Sequence, residues 1–240
     1  MQFWGTNKQG LPNSVSSPGS PLSQPERPPT FSQDRARFGL LRAIYMRVMT
    51  RIRPWFFLAK VTNRSLLHEA PDLSEYPYPI ANATREMMLN AVPNYPGQLE
   101  ANRVNEAFDR GDVCYVALNE DDEVISFGWR AGSEQTPHNE DVFVRVEAPS
   151  VYGYKSYTLP QYRGQRLITP EFLDPYFRQK GYELAVGFVE THNFASLRRS
   201  RRNNNRVVGF AGYVRLFGKV YTFRTPAVTR SRFSFQVEAR

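Results

Sequence analysis

The residues best suited to chemistry lie between Tyr154 and Leu167, Tyr-Lys-Ser-Tyr-Thr-Leu-Pro-Gln-Tyr-Arg-Gly-Gln-Arg-Leu. Aromatic and β-branched residues run up to Pro160, which lacks the N–H that a sheet ladder needs, so a strand ends there or nearby. The loop beyond carries Arg163, Gly164 and Arg166 and opens into a segment with helical spacing. Unpaired N–H groups at a helix start, the positive end of its dipole and nearby arginines together suit a phosphate. A second group of reactive residues follows. Glu183-Leu-Ala-Val-Gly-Phe-Val189 reads as a buried strand and feeds Glu190-Thr-His-Asn-Phe-Ala-Ser-Leu197, which opens another helix.

This order of strand, basic loop, helix, strand and Asn-x-x-Ser helix resembles the GNAT (Gcn5-related) N-acetyltransferases over residues 112 to 225. That family's acyl-CoA pyrophosphate loop reads Gln/Arg-x-x-Gly-x-Gly/Ala, and Pro160-Gln161-Tyr162-Arg163-Gly164-Gln165 is similar to it. The resemblance implies an α/β fold with a mixed, mostly antiparallel sheet flanked by helices. It also implies acyl-CoA-dependent N-acyl transfer, with acetyl-CoA or another acyl-CoA as co-substrate, a small-molecule or protein amine as acceptor, and no metal. On it, Gln161, Arg163, Gly164, Gln165, Arg166 and Leu167 would hold the pyrophosphate, and Asn193 and Ser196 would flank the pantetheine arm. Amine acylation needs a base for the amine, a donor for the tetrahedral oxyanion and a proton for the leaving thiolate. The resemblance places the oxyanion donor on a backbone N–H at a strand break within Tyr157, Thr158 and Leu159. Its base is Glu190, facing the cleft between two splayed strands, with His192 and Glu147 as second choices. Glu190 and His192 also fit a helix-start carboxylate and a satisfied loop histidine.

The chain departs from the family pattern at three places. Arg166 stands where the loop's last small residue belongs, where it could hold a phosphate or block the approach. Asn203-Asn204-Asn205 replaces a Gly-Phe that comes late as Gly209-Phe210, although Asn tolerates a left-handed helix end. Ser200 occupies the position of a tyrosine general acid. These departures support a different function, a catalytically silent GNAT-like binding module or membrane-associated adaptor. Arg198, Arg199, Arg201, Arg202 and Arg206 form a basic cluster that reads as a solvated helix face or as a partner for the CoA 3′-phosphate.

The elements that must position these residues can be read from pattern. Residues 1–34 are rich in Ser, Pro, Gln and Gly and read as a disordered leader. Residues 35–53 read as one amphipathic helix, with Phe38, Leu41, Tyr45, Val48 and Ile52 spaced three and four apart and Leu40, Ile44 and Met49 widening the stripe. The net charge is +8, and Arg35, Arg37, Arg42, Arg47, Arg51, Arg53, Lys60 and Arg64 equal that excess with no acid among them. Either the helix packs on the domain with its arginines solvated, or residues 35–64 lie on an anionic membrane surface. Residues 54–240 form the GNAT-like domain. Its expected strands are 55–61, 113–118, 124–131, 142–146, 151–158, 207–216 and 221–224, with a loop over 63–80 and a helix over 97–109. Asn119 to Glu123 is a hairpin turn, and Phe217-Gly218-Lys219 turns the last pair.

Composition narrows the alternatives. The 240 residues are 41% hydrophobic and 14% aromatic, enough for a real core. The single cysteine, Cys114, excludes an internal disulfide and sits in a strand pattern as a buried bystander. With no secretory pattern and no long apolar run, a cytoplasmic location is expected, peripheral to the inner membrane face if the basic segment binds lipid. No Cys/His spacing points to a metal, and no RNA-binding signature accompanies the arginines, so nucleic acid is disfavoured.

Overall fold

The computed structural model describes residues 29–165, 167 and 170–237, and for Glu75 the backbone alone. Residues 1–28 of the expected leader therefore lie outside the described residues, as does Arg166. The helix expected over 35–53 is two helices and starts earlier. α1 (Phe31–Phe38) begins with a capping box between Thr30 and Gln33, and α2 (Leu40–Ile52) follows the break at Gly39. Gly39 has φ 87°, a backbone that side-chain-bearing residues avoid, so the helix cannot run through it.

The remaining elements are β1 (Phe56–Ser65), β2 (Ile80–Asn82), α3 (Arg85–Ala91), α4 (Ala101–Asp109), β3 (Val113–Leu118), β4 (Val124–Ala131), β5 (Gln135–Pro137), β6 (Val142–Val146) and β7 (Ser150–Thr158). After them come α5 (Asp174–Gln179), β8 (Leu184–Glu190), α6 (Phe194–Arg202), β9 (Arg206–Leu216), β10 (Lys219–Arg224), α7 (Pro226–Arg230) and β11 (Phe233–Val237). Eight strands make one sheet in the order β10-β9-β1-β8-β7-β4-β3-β2, and β11-β6-β5 make a smaller one. Every pairing is antiparallel except β7 with β8. This is the mixed, mostly antiparallel α/β architecture that the GNAT resemblance implied.

β1 runs on through Asn63-Arg64-Ser65, which reads as loop in the sequence, because β8 pairs with all three and β9 with Asn63. The pairing outweighs the polar composition. The helix expected to open beyond Pro160 is also different. Pro160–Tyr162 and Pro170–Leu173 are 3₁₀ turns, and the α-helix proper starts at Asp174. The helix expected from residue 97 starts at Ala101, while α3 and β2 fall where no regular element was expected. The turns follow expectation. Asn119 accepts from the N–H groups of Asp121 and Glu123, and Phe217 and Gly218 have φ 50° and 73°, matching a hairpin of the primed type.

Residues opposite one another in adjacent strands share a sheet face. The register puts Arg64, Ala185, Val151, Gly153 and Arg130 on one face, which α5 and α6 cover. On the other face Phe108 of α4 meets Trp129 edge-on at 5.1 Å, and Phe57 meets Phe235 of the small sheet at 5.5 Å. Two cores result, one around Met88, Cys114, Ile125 and Phe127 and one around Phe57, Val61, Val144 and Phe233.

Candidate active site

The parallel pairing of β7 and β8 stops after three residue pairs, Ser150–Leu184, Val151–Ala185 and Tyr152–Val186. Next come Gly153 and Gly187, where the backbones still approach so closely that a Cβ on Gly187 would lie 2.9 Å from the Gly153 carbonyl oxygen. Beyond them β7 stays with β4 while β8 stays with β1 as far as Glu190 opposite Ala59. Strands held by different neighbours in a twisted sheet must separate, and a cleft of about 330 Å³ opens between them.

One wall of the cleft carries a break in the ladder. Trp129 pairs with Tyr154 and Phe127 with Tyr157, so Lys155 and Ser156 together oppose Gly128. This is a β-bulge, and Lys155 has φ 38° within it. The lack of a side chain at Gly128 lets the Tyr115 ring lie against it, since a Cβ there would be 2.4 Å from the Tyr115 hydroxyl. The break expected within Tyr157 to Leu159 is therefore earlier. Those three residues stay with β4 and the residues around it. The Ser126 hydroxyl bonds the Tyr157 carbonyl at 2.9 Å and meets the Thr158 hydroxyl at 2.6 Å, and the Leu159 N–H donates to the Ile125 carbonyl at 3.0 Å. Leu159 cannot serve an oxyanion with that N–H.

Glu190, Asn193 and Ser196 line the cleft. Glu190 accepts from Arg53 at 2.9 Å and lies 3.6 Å from His192. Burial pulls the His192 imidazole below its ordinary value; nearby Glu190 opposes that shift and Arg53 adds to it. The Asn193 side chain caps α6, accepting from the Ser196 N–H at 3.0 Å. Ser200 also lines the cleft, and Asn204 at φ 53° follows the helix end, as the Asn run led one to expect.

Gln161, Arg163, Gly164, Gln165 and Leu167 are not among the residues lining the cleft. Arg163 folds back, with its guanidinium 5.2 Å from the Tyr157 ring centroid and its Nε donating to the Thr158 carbonyl at 3.1 Å. Leu167 is buried in the core. Gly164 has φ 86°, and a Cβ there would meet nothing within 4 Å, so space is open beside the loop backbone. Glu147, the other candidate base, pairs with Arg145 at 3.2 Å, away from the cleft.

Sequence reasoning missed the charged floor of the cleft. Arg64 and Arg130 both line it, and both bond the buried carboxylate of Asp174, Arg64 Nη2 at 2.9 Å and Arg130 Nη2 at 3.1 Å. Glu171 adds a contact to Arg64 at 3.4 Å. Burial works against the charge on Arg64, but the Asp174 hydrogen bond and the Glu171 charge outweigh it and raise its pKa. Arg130 is more deeply buried, and desolvation outweighs Asp174 to lower it. Among the described residues, its Nε and Nη1 have no hydrogen-bond partner. The available signal was an arginine within the otherwise apolar and aromatic run of β4, which demands a buried counter-charge.

Fold and cleft together give a mixed, mostly antiparallel α/β domain whose two central strands splay around a charged site. No family model matches the chain, and no curated protein matches it. Among solved structures it is similar to a functionally unknown conserved protein from Staphylococcus epidermidis, at 10% identity and TM-score 0.45 over 76% of this chain and 79% of that one. It is also similar to a GCN5-related N-acetyltransferase from Sphaerobacter thermophilus, at 13% identity and TM-score 0.43 over 80% of this chain and 56% of that one. A tandem GNAT protein from the clavulanic acid biosynthesis pathway gives 10% identity and TM-score 0.45 over 76% and 54%. The chain thus spans little more than half the length of the last two, and all three are distant likenesses.

Proposed function

We propose that the chain is an acyl-CoA-dependent N-acyltransferase that moves an acetyl or other acyl group from a CoA thioester to the amine of a small-molecule or protein acceptor. The observation that carries this reading is the cleft itself. β7 and β8 part just past Gly153 and Gly187, a bulge interrupts one wall, and a carboxylate stands at the end of the other. A bulge leaves a residue out of the ladder. Backbone at Lys155–Ser156 then supplies the donor for the tetrahedral oxyanion. Glu190 takes the proton from the acceptor amine. Asn193 and Ser196 flank the pantetheine arm, and the open space beside Gly164 suits a pyrophosphate.

A silent binding module is the second reading, favoured by the engagement of Glu190 with Arg53 and of Asn193 with its own helix. Titration calorimetry with acetyl-CoA tests the cofactor binding that the enzyme reading requires. The enzyme reading expects saturable heat, lost in Gly164→Val, with a melting curve showing that the variant remains folded. No heat from the parent chain, or full binding by Gly164→Val, would sink the placement of the cofactor.

A further inference from the structure

α2 is packed on two sides and bare on a third. Tyr45 Oη and Thr191 Oγ1 are 2.6 Å apart and Met49 is buried, so one flank lies on the domain where β8 meets α6. Ala43 is buried and Arg47 reaches Asp34 of α1 at 3.0 Å, which accounts for a second flank. The remaining arc, about 100° wide at the helical repeat, carries Leu40, Leu41, Ile44 and Val48. All four are exposed, Leu41 by 82%, and Trp55 just beyond the helix is 60% exposed. A line of large apolar side chains on one helix face differs from singly scattered exposure, which needs no explanation.

The charges around this face have one sign. Arg51 falls within the bare arc, and Arg35 and Arg37 are exposed on α1, whereas Arg42 lies on the domain side with its guanidinium 5.3 Å from the Phe194 ring centroid. Residues 35–64 contain no acid, and Asp34 is buried against Arg47. We propose that this face lies on a membrane surface containing anionic lipid. Charge selects that occupant over a second copy of the chain, because an isologous contact would set arginines against arginines. A helix lying in the interface buries its apolar stripe at the headgroup boundary, while arginine stems reach outward to lipid phosphates. Tryptophan favours the same depth. No helix among the described residues is long and apolar enough to cross a membrane. The face is joined to the cleft through the Arg53–Glu190 and Tyr45–Thr191 contacts, so docking holds the cleft near the lipid surface.

The test is sedimentation of the full chain with vesicles of phosphatidylcholine containing phosphatidylserine, and with phosphatidylcholine alone. The chain should pellet with the anionic vesicles at low salt, be released by added salt, and leave neutral vesicles in the supernatant. Leu41→Asp should abolish pelleting, and Arg51→Gln should weaken it about fivefold. Both side chains are exposed, so neither variant should lower the melting temperature. Absence of pelleting by the parent, equal pelleting with neutral vesicles, or indifference to both variants overturns the proposal. So does a dimer in solution that Leu41→Asp dissociates, which would assign the face to a second copy.

Discussion

Asp174→Asn is the most discriminating single change, because one buried carboxylate at the start of α5 is held by arginines of two strands, Arg64 of β1 and Arg130 of β4. The Asp174 side chain is 0% exposed and accepts from Arg64 Nη2 at 2.9 Å, Arg130 Nη2 at 3.1 Å and the Leu67 N–H at 3.0 Å. Asparagine keeps the shape but loses the charge and turns donors toward guanidinium groups that are themselves donors. Arg64 would retain Glu171, whereas Arg130 would keep the Pro170 carbonyl at 2.6 Å. Removing one partner of a buried ion pair costs about 3–5 kcal/mol. At about 2–4 °C per kcal/mol for a domain of this size, the melting temperature should fall by roughly 6–20 °C. The control is Asp109→Asn, which breaks an exposed pair with Arg85 whose side chains are 42% and 67% accessible and should cost at most about 1 kcal/mol. Thermal denaturation followed by circular dichroism measures both. If Asp174→Asn melts no lower than Asp109→Asn, the cluster does not anchor α5, and the account of the cleft floor fails. Adding Arg130→Met to Asp174→Asn should recover part of the loss by removing an uncompensated buried charge.

Four further outcomes are expected. His138 packs among Phe57, Phe188 and Phe235, and burial, with Arg53 and Arg215 adding to it, lowers its pKa to about 4. The unfolded chain therefore binds a proton near the ordinary value of 6.5 that the folded chain refuses, so stability present above that pH is lost as pH falls toward about 4. The loss amounts to at most about 3 kcal/mol, and His138→Phe should flatten this part of a stability-against-pH curve. Glu190→Gln should lower kcat by about 10²–10⁴-fold with little change in acetyl-CoA affinity; unchanged turnover in a steady-state assay would remove Glu190 as the base. Arg166→Gly should weaken acetyl-CoA binding by removing a charge-assisted contact, whereas tighter binding in calorimetry would mean that the arginine obstructs the site. Burial pushes the Cys114 thiol well above its ordinary value, so a thiol reagent should label the denatured chain and spare the native one.

The sequence by itself determined the elements whose information is local. Alternating and apolar runs specify β3, β4, β6, β7 and β8, the Asn119–Glu123 turn follows from side chains that bond their own backbone, and Asn193 with Ser196 marks a helix start. Glu190 reads as an end-of-strand carboxylate for the same reason. The tertiary structure decided what depends on partners distant in the chain. Asn63 to Ser65 is strand because β8 pairs with all three residues and β9 with Asn63, and Gly39 divides a helix whose stripe runs through it. The bulge lies at Lys155–Ser156 because β4 supplies one residue, Gly128, opposite two. Arg64, Arg130 and Asp174 meet across separations of 44 and 110 residues, a meeting that no spacing rule encodes. The apolar residues of α2 show the limit most plainly. Periodicity places them on a helix surface, but it cannot say which arc the domain covers, because that depends on where Thr191 and α1 stand in space.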